Sequence, residues 1–157
     1  MENEKTKVLD ISWDYFKLLA QQRVTHFNLF IVFMGAISAV FATQIYVDLR
    51  GNIIACVLAV IQIFLCFVFH KIDVRNKFLI KHTEKIIKDI ENSFDESVPR
   101  IFISEEQSTE IFRLGDKKKM YLLRQLSTTQ LYNLFYTFFV VLGLIELIFA
   151  IILIVLR

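Results

Sequence analysis

The sequence holds one proline and four glycines in 157 residues. A phosphate-binding loop needs clustered glycines, and disordered linkers are usually rich in proline and glycine, so neither class fits. Cysteine is just as scarce. Cys56 and Cys66 stand ten residues apart within one apolar block, where one straight helix cannot join them, and nothing nearby resembles a metal site. They read as small apolar fillers. Only three histidines occur. No Ser-His-Asp, Cys-His, His-Glu-x-x-His or Walker-type grouping is present. The expectation is a protein with no cofactor, no metal and no enzymatic activity.

The most telling absence is that of charge. Residues 24–47, 51–70 and 125–156 contain no Lys or Arg and, apart from Glu146, no acid. Hydrophobic residues make up 55% of the chain, yet 22% is charged, so the apolar residues are gathered into these blocks. About 18 or more such residues match the hydrocarbon core of a bilayer. A soluble enzyme is therefore excluded as the starting assumption. The length suits one domain, and the predicted fold is an all-α membrane protein occupying 1–157. It has three transmembrane helices, at about 24–47, 52–70 and 127–155. A long cytoplasmic helical extension of the second span belongs to a small cytoplasmic segment, 71–124, that precedes the third. A cleaved signal peptide does not fit: more than twenty residues with several acids precede the first block, and no small-residue cleavage site follows it.

The net charge of +2 conceals an uneven distribution. Twelve of the eighteen Lys and Arg lie between Lys71 and Arg124, and four precede Val24. Arg50 alone falls between the first two blocks, and Arg157 alone follows the third. The positive-inside rule then places the N-terminus and the middle segment in the cytoplasm and the C-terminus outside. The cytoplasmic (inner) membrane is the expected location.

Residues 8–23 read as a helix entering the first span, with Val8, Ile11, Tyr15, Leu18 and Leu19 on one face. Trp13, Tyr15 and Phe16 suit the headgroup region. Leu49-Arg50-Gly51-Asn52 is expected to form the turn to the second span. That span has no breaker at its inner end, so its helix should continue through 71–94. Ile72, Leu79, Ile86, Ile90 and Phe94 form an apolar row there, opposite Lys77, Lys81, Lys85 and Lys88. Such a row needs a partner: the N-terminal helix, the 100–124 segment or another subunit. Leu79, Ile86 and Ile90 are its candidate oligomer seam. Pro99 ends the helix, residues 100–103 alternate as a short strand would, and Ser104 with Gln107 signals a helix over about 105–113.

Polar residues inside the spans are the informative minority. Glu146 sits among Leu144, Ile145, Leu147 and Ile148, and inserting a carboxylate there costs about 2.5–3.5 kcal/mol. Ser38, Gln62 and Glu146 all fall about ten residues in from the outer ends of their spans. Either Gln62 donates to Glu146 inside one subunit, or Glu146 faces a water-filled axis. Gly143, one turn before Glu146, permits close helix approach. Outside the spans, Arg75 and His82 match the loose Arg-to-His spacing of HEPN-type ribonucleases, in which these residues transfer protons and neutralise phosphate. Any basic helix produces that spacing often. The basic stripe from Lys71 to Lys88 suits anionic headgroups, at about 1 kcal/mol per cation. No aromatic residue is expected to interleave with its lysines as a base-stacking platform, so nucleic acid is not an expected partner.

Several stretches together resemble a known family. They are Trp13-Asp14-Tyr15-Phe16, the entry Gln22-Arg23-Val24-Thr25-His26-Phe27-Asn28-Leu29-Phe30 and the exit His70-Lys71-Ile72-Asp73-Val74-Arg75-Asn76. The pattern resembles the RipA-like octameric membrane proteins, including the small membrane accessory protein of type VI-B CRISPR loci. The resemblance covers residues 8–94, and the remainder matches only in layout. It implies a homo-oligomer of eight around an axis, with cytoplasmic helices forming a ring. It also implies a pore that perturbs the membrane in antiviral defence, an RNA-guided ribonuclease or other defence partner, and a divergent Arg/His motif at Arg75 and His82. SLATT-type effectors share part of the layout, but usually with two spans. The alternatives are a membrane-tethered HEPN-like ribonuclease, or a SLATT-like effector or scaffold that recruits a soluble partner.

Overall fold

A computed structural model of the protein describes residues 2–45, 48–94, 104 and 127–156. It shows three long helices: α1 (Glu2–Gln44), α2 (Leu49–Asn92) and α3 (Thr128–Val155). Each is long and apolar enough to cross a bilayer. The expected strand at 100–103 and helix at 105–113 lie outside the described residues.

The helix boundaries follow from local hydrogen bonding. Helix α1 begins at Glu2 instead of residue 8, because apolar periodicity marks where a helix buries a face and not where its backbone bonds begin. Its last turn closes with Ile45 N–H on Phe41 O at 3.2 Å. Asp48 then caps α2: its Oδ1 accepts from Gly51 N at 2.7 Å, and its backbone O from Asn52 N at 3.0 Å. A short acceptor one residue before a helix satisfies donors that have no intrahelical partner. The expected turn at 49–52 is thus the first turn of α2. Helix α2 runs unbroken from the apolar block into the charged extension, as its lack of a breaker predicted. Ser127 opens α3 with a capping box: its Oγ accepts from Gln130 N at 3.3 Å while Gln130 Oε1 accepts from Ser127 N at 3.0 Å.

The chain forms two compact units, Val24–Val74 with Ser127–Arg157 and Met1–Arg23 with Arg75–Leu126. In the first, two apolar clusters hold the helices together. Phe30, Met34, Cys66, Tyr132 and Tyr136 form one, with Phe27 stacked on Tyr132 at 3.9 Å between ring centres. Phe41, Ile45, Ala55, Ala59 and Ala150 form the other. Its alanines let backbones approach, which is how helices pack where lipid removes the hydrophobic drive. Only 17–22% of the apolar window of each span is buried within the chain. The rest must meet lipid or other subunits.

In the second unit, Lys5 Nζ donates to Ser93 O at 3.3 Å, and Ile90 shares a shallow groove with Glu4, Lys5 and Val8. The start of α1 therefore runs antiparallel to the end of α2. Leu79 and Ile90 of the expected seam are half-buried, whereas Ile86 is 38% exposed. In the part of the α2 extension that belongs to this unit, the buried positions are Asn76, Thr83, Ile87 and Glu91. Thr83 Oγ1 is satisfied within the helix by Leu79 O at 3.0 Å. Hydropathy gives polar residues no weight as buried positions, so the sequence alone does not mark this strip, and Leu79, Ile86 and Ile90 concern contact with a neighbouring subunit. Lys88 bridges Glu84 at 2.7 Å, a favourable i,i+4 pair.

Candidate functional site

Each transmembrane helix contributes one polar side chain to a single layer. Ser38 comes from α1, Gln62 from α2 and Glu146 from α3. Ser38 Oγ donates to Gln62 Oε1 at 3.3 Å, and Gln62 Nε2 donates to Phe139 O at 3.4 Å. The Ser38 hydroxyl and the Gln62 amide also act as hydrogen-bond partners of the Glu146 carboxyl. Gln62 is fully buried and Glu146 is 8% exposed. The equal depths counted along the sequence thus correspond to a real layer. In chain order it lies between Met34 and Phe41 on α1, and between Cys66 and Ala59 on α2. The aromatic cluster is on one side and the small-residue cluster on the other.

Gly143 makes the layer possible. A Cβ there would stand 2.9 Å from Ile63 Cγ1, 3.5 Å from Gln62 Nε2 and 3.6 Å from Ala59 O. Tyr132, Tyr136, Gly143, Glu146 and Ala150 are the buried residues of α3, one stripe at helical spacing. Within one subunit Glu146 therefore points at α1 and α2. One carboxyl oxygen, Oε2, is nonetheless buried without a hydrogen-bond partner. Chemically, such a layer fixes the register of three helices and holds a carboxyl group deep in apolar surroundings, where an ionised and unpartnered group is costly.

Arg75 and His82 lie on one exposed face of α2. His82 stacks on Phe78 with 6.3 Å between ring centres and planes 10° or less apart, at 9°. Phe78 is 68% exposed and stands among Arg75, Lys81 and Lys85, so an aromatic residue does interrupt the basic stripe, contrary to expectation. Phe78 falls outside the apolar row of Ile72, Leu79, Ile86, Ile90 and Phe94, so the sequence reading gave it no role. Among the described residues no second histidine or acid joins Arg75 and His82 to complete an acid–base pair. No group of three potential metal ligands comes together there either. His70 packs edge-on against Tyr136 at 5.4 Å with Nδ1 buried and unpartnered.

The model of the octameric membrane protein family (8xMP) matches residues 6–155. The chain belongs to this family. It is also similar to the CD-NTase-associated protein 19 of Escherichia coli, with 31% identity over 115 residues, covering 73% of this chain and 76% of that protein. No solved structure matches. For an 8xMP protein, the large uncovered area on the three spans has a ready explanation: each subunit has neighbours.

Proposed function

We propose that the protein assembles as a homo-octamer in the cytoplasmic membrane and forms or gates a pore that perturbs membrane integrity in antiviral defence. The N-terminus faces the cytoplasm and the C-terminus faces outward. The supporting observation is the combination of octameric family membership with spans that bury about a fifth of their apolar windows inside one chain. The relative's name adds a CD-NTase as the partner class, in preference to the RNA-guided ribonuclease of a CRISPR locus. The protein acts without a cofactor and without catalysis. Purified octamer in liposomes should release an entrapped ion-sensitive dye, and an ion-tight liposome carrying the octamer with its upstream signal present would refute the pore.

A second reading is a membrane-tethered ribonuclease, favoured by the exposed grouping of Arg75, Phe78 and His82. It requires RNA cleavage in detergent that is lost in His82→Ala, because alanine cannot transfer a proton. The expected result is no cleavage by the native protein or by the variant. A scaffold that recruits a partner through residues 95–124 would show neither flux nor cleavage.

The orientation is checked by labelling. With Cys56 and Cys66 replaced, Arg50→Cys should react with a membrane-impermeant maleimide added to intact cells, and Lys85→Cys only after lysis. Both positions are exposed. External labelling of Lys85→Cys would invert the arrangement.

A further inference from the structure

Among the described residues of the unit formed by Met1–Arg23 and Arg75–Leu126, two faces are open. On α1, Ile11, Tyr15 and Leu18 follow helical spacing and are 61%, 46% and 50% exposed. On α2, Phe78 and His82 form an exposed stacked pair flanked by the cations Arg75, Lys81 and Lys85. The first face is apolar, with the exposed acids Asp10 and Asp14 at its edge, Asp14 bridged to Lys17 of its own helix at 2.8 Å. The second is aromatic and basic. They differ in kind and complement each other in charge.

The geometry points to these two faces as the halves of one subunit interface: Ile11, Tyr15 and Leu18 of each copy dock on Phe78 and His82 of the next. This rests on the octameric reading and deepens it. Insertion fixes every copy in the same orientation across the membrane, which excludes any two-fold axis lying in the membrane plane. A closed ring of eight must then be cyclic, and its contacts head-to-tail, with two different patches meeting at each junction. Self-complementary patches cannot build it.

The register supports the match. Within one copy, Lys5 is level with Ser93, and α1 runs antiparallel to α2. All copies sit at the same depth, so Tyr15 of one falls level with His82 of its neighbour, and Leu18 level with Phe78. Tyr15 then meets the edge or face of the ring pair, a favourable aromatic arrangement. Asp14 falls between the levels of Lys81 and Lys85. The pairing covers apolar surface that is open in the isolated chain and sets a basic strip against an acidic edge.

Cross-linking in full-length octamer tests this. In a background lacking Cys56 and Cys66, Tyr15→Cys and His82→Cys placed together on one chain should give a ladder of covalent species reaching eight under mild oxidation. Each substitution alone should give no covalent dimer. Co-expressed single variants should give heterodimers and stop at two. Leu18→Cys with Phe78→Cys is the second pair, one turn away, in case the first disturbs assembly. Native mass spectrometry of the unmodified protein separates the two levels of the argument. A protein that is not octameric overturns both the assembly and the interface. An octamer in which neither pair cross-links overturns this interface alone and leaves the basic face to lipid headgroups or nucleic acid. Dimers from His82→Cys alone would show a self-complementary contact and overturn it as well.

Discussion

Gly143→Leu should abolish the compact bundle, whereas Gly143→Ala should weaken it only slightly. The position has no room for a branched side chain: an added Cβ already meets Ile63 Cγ1 at 2.9 Å and stands close to the Ala59 carbonyl. Alanine needs a small movement of one isoleucine branch. Leucine must push α3 away from α2, and overpacking of this kind costs about 1–3 kcal/mol. The same movement separates Gln62 from Phe139 O and Glu146, so the polar layer opens as well. Thermal unfolding in detergent, followed by loss of the octamer peak in size exclusion, measures both variants. A Gly143→Leu protein with the native midpoint would show that the close approach does not matter.

The second large effect belongs to Glu146. Glu146→Gln keeps size and hydrogen bonding and should leave assembly and midpoint close to native. Glu146→Leu removes the carboxyl beside the Ser38 hydroxyl and the Gln62 amide. Ser38 keeps its bond to Gln62 Oε1 and Gln62 its bond to Phe139 O, and the second Gln62 N–H, buried and left unmatched, costs about 1–3 kcal/mol. Interhelical hydrogen bonds in membranes average less, about 0.6 kcal/mol, so the loss in Glu146→Leu should fall toward the lower end of that range. Because Glu146 points into its own subunit, reversal potentials under a salt gradient should be the same for native protein and Glu146→Gln. A loss of cation selectivity in Glu146→Gln would instead put a ring of carboxylates on the conduction path, since such rings favour cations.

The three spans and the unbroken exit of α2 were readable from the sequence because long uncharged blocks have only one stable home. The polar layer was partly readable: counting residues from the span ends placed Ser38, Gln62 and Glu146 at one depth, but depth alone does not say whether a side chain faces a neighbour helix or an axis. Rotation of each helix about its own axis decides that, and it depends on packing at Gly143 and Ala59. The turn was expected at 49–52 because Gly51 and Asn52 look like turn residues, while these residues form the first turn of α2, capped by Asp48. The buried strip of the α2 extension was missed for a different reason. Asn76, Thr83 and Glu91 are polar, and only a three-dimensional neighbourhood shows that their positions are covered.

Both thiols of the chain lie inside the second span, Cys66 buried beside Met34 Sδ at 3.7 Å and Cys56 half-covered. A thiol reacts as its thiolate, which apolar surroundings disfavour, and neither sulfur has a second cysteine within reach. Within one chain, no disulfide between these two thiols is available to form or break. Assembly should therefore be the same with and without a thiol reductant, since no disulfide within the chain holds its helices together.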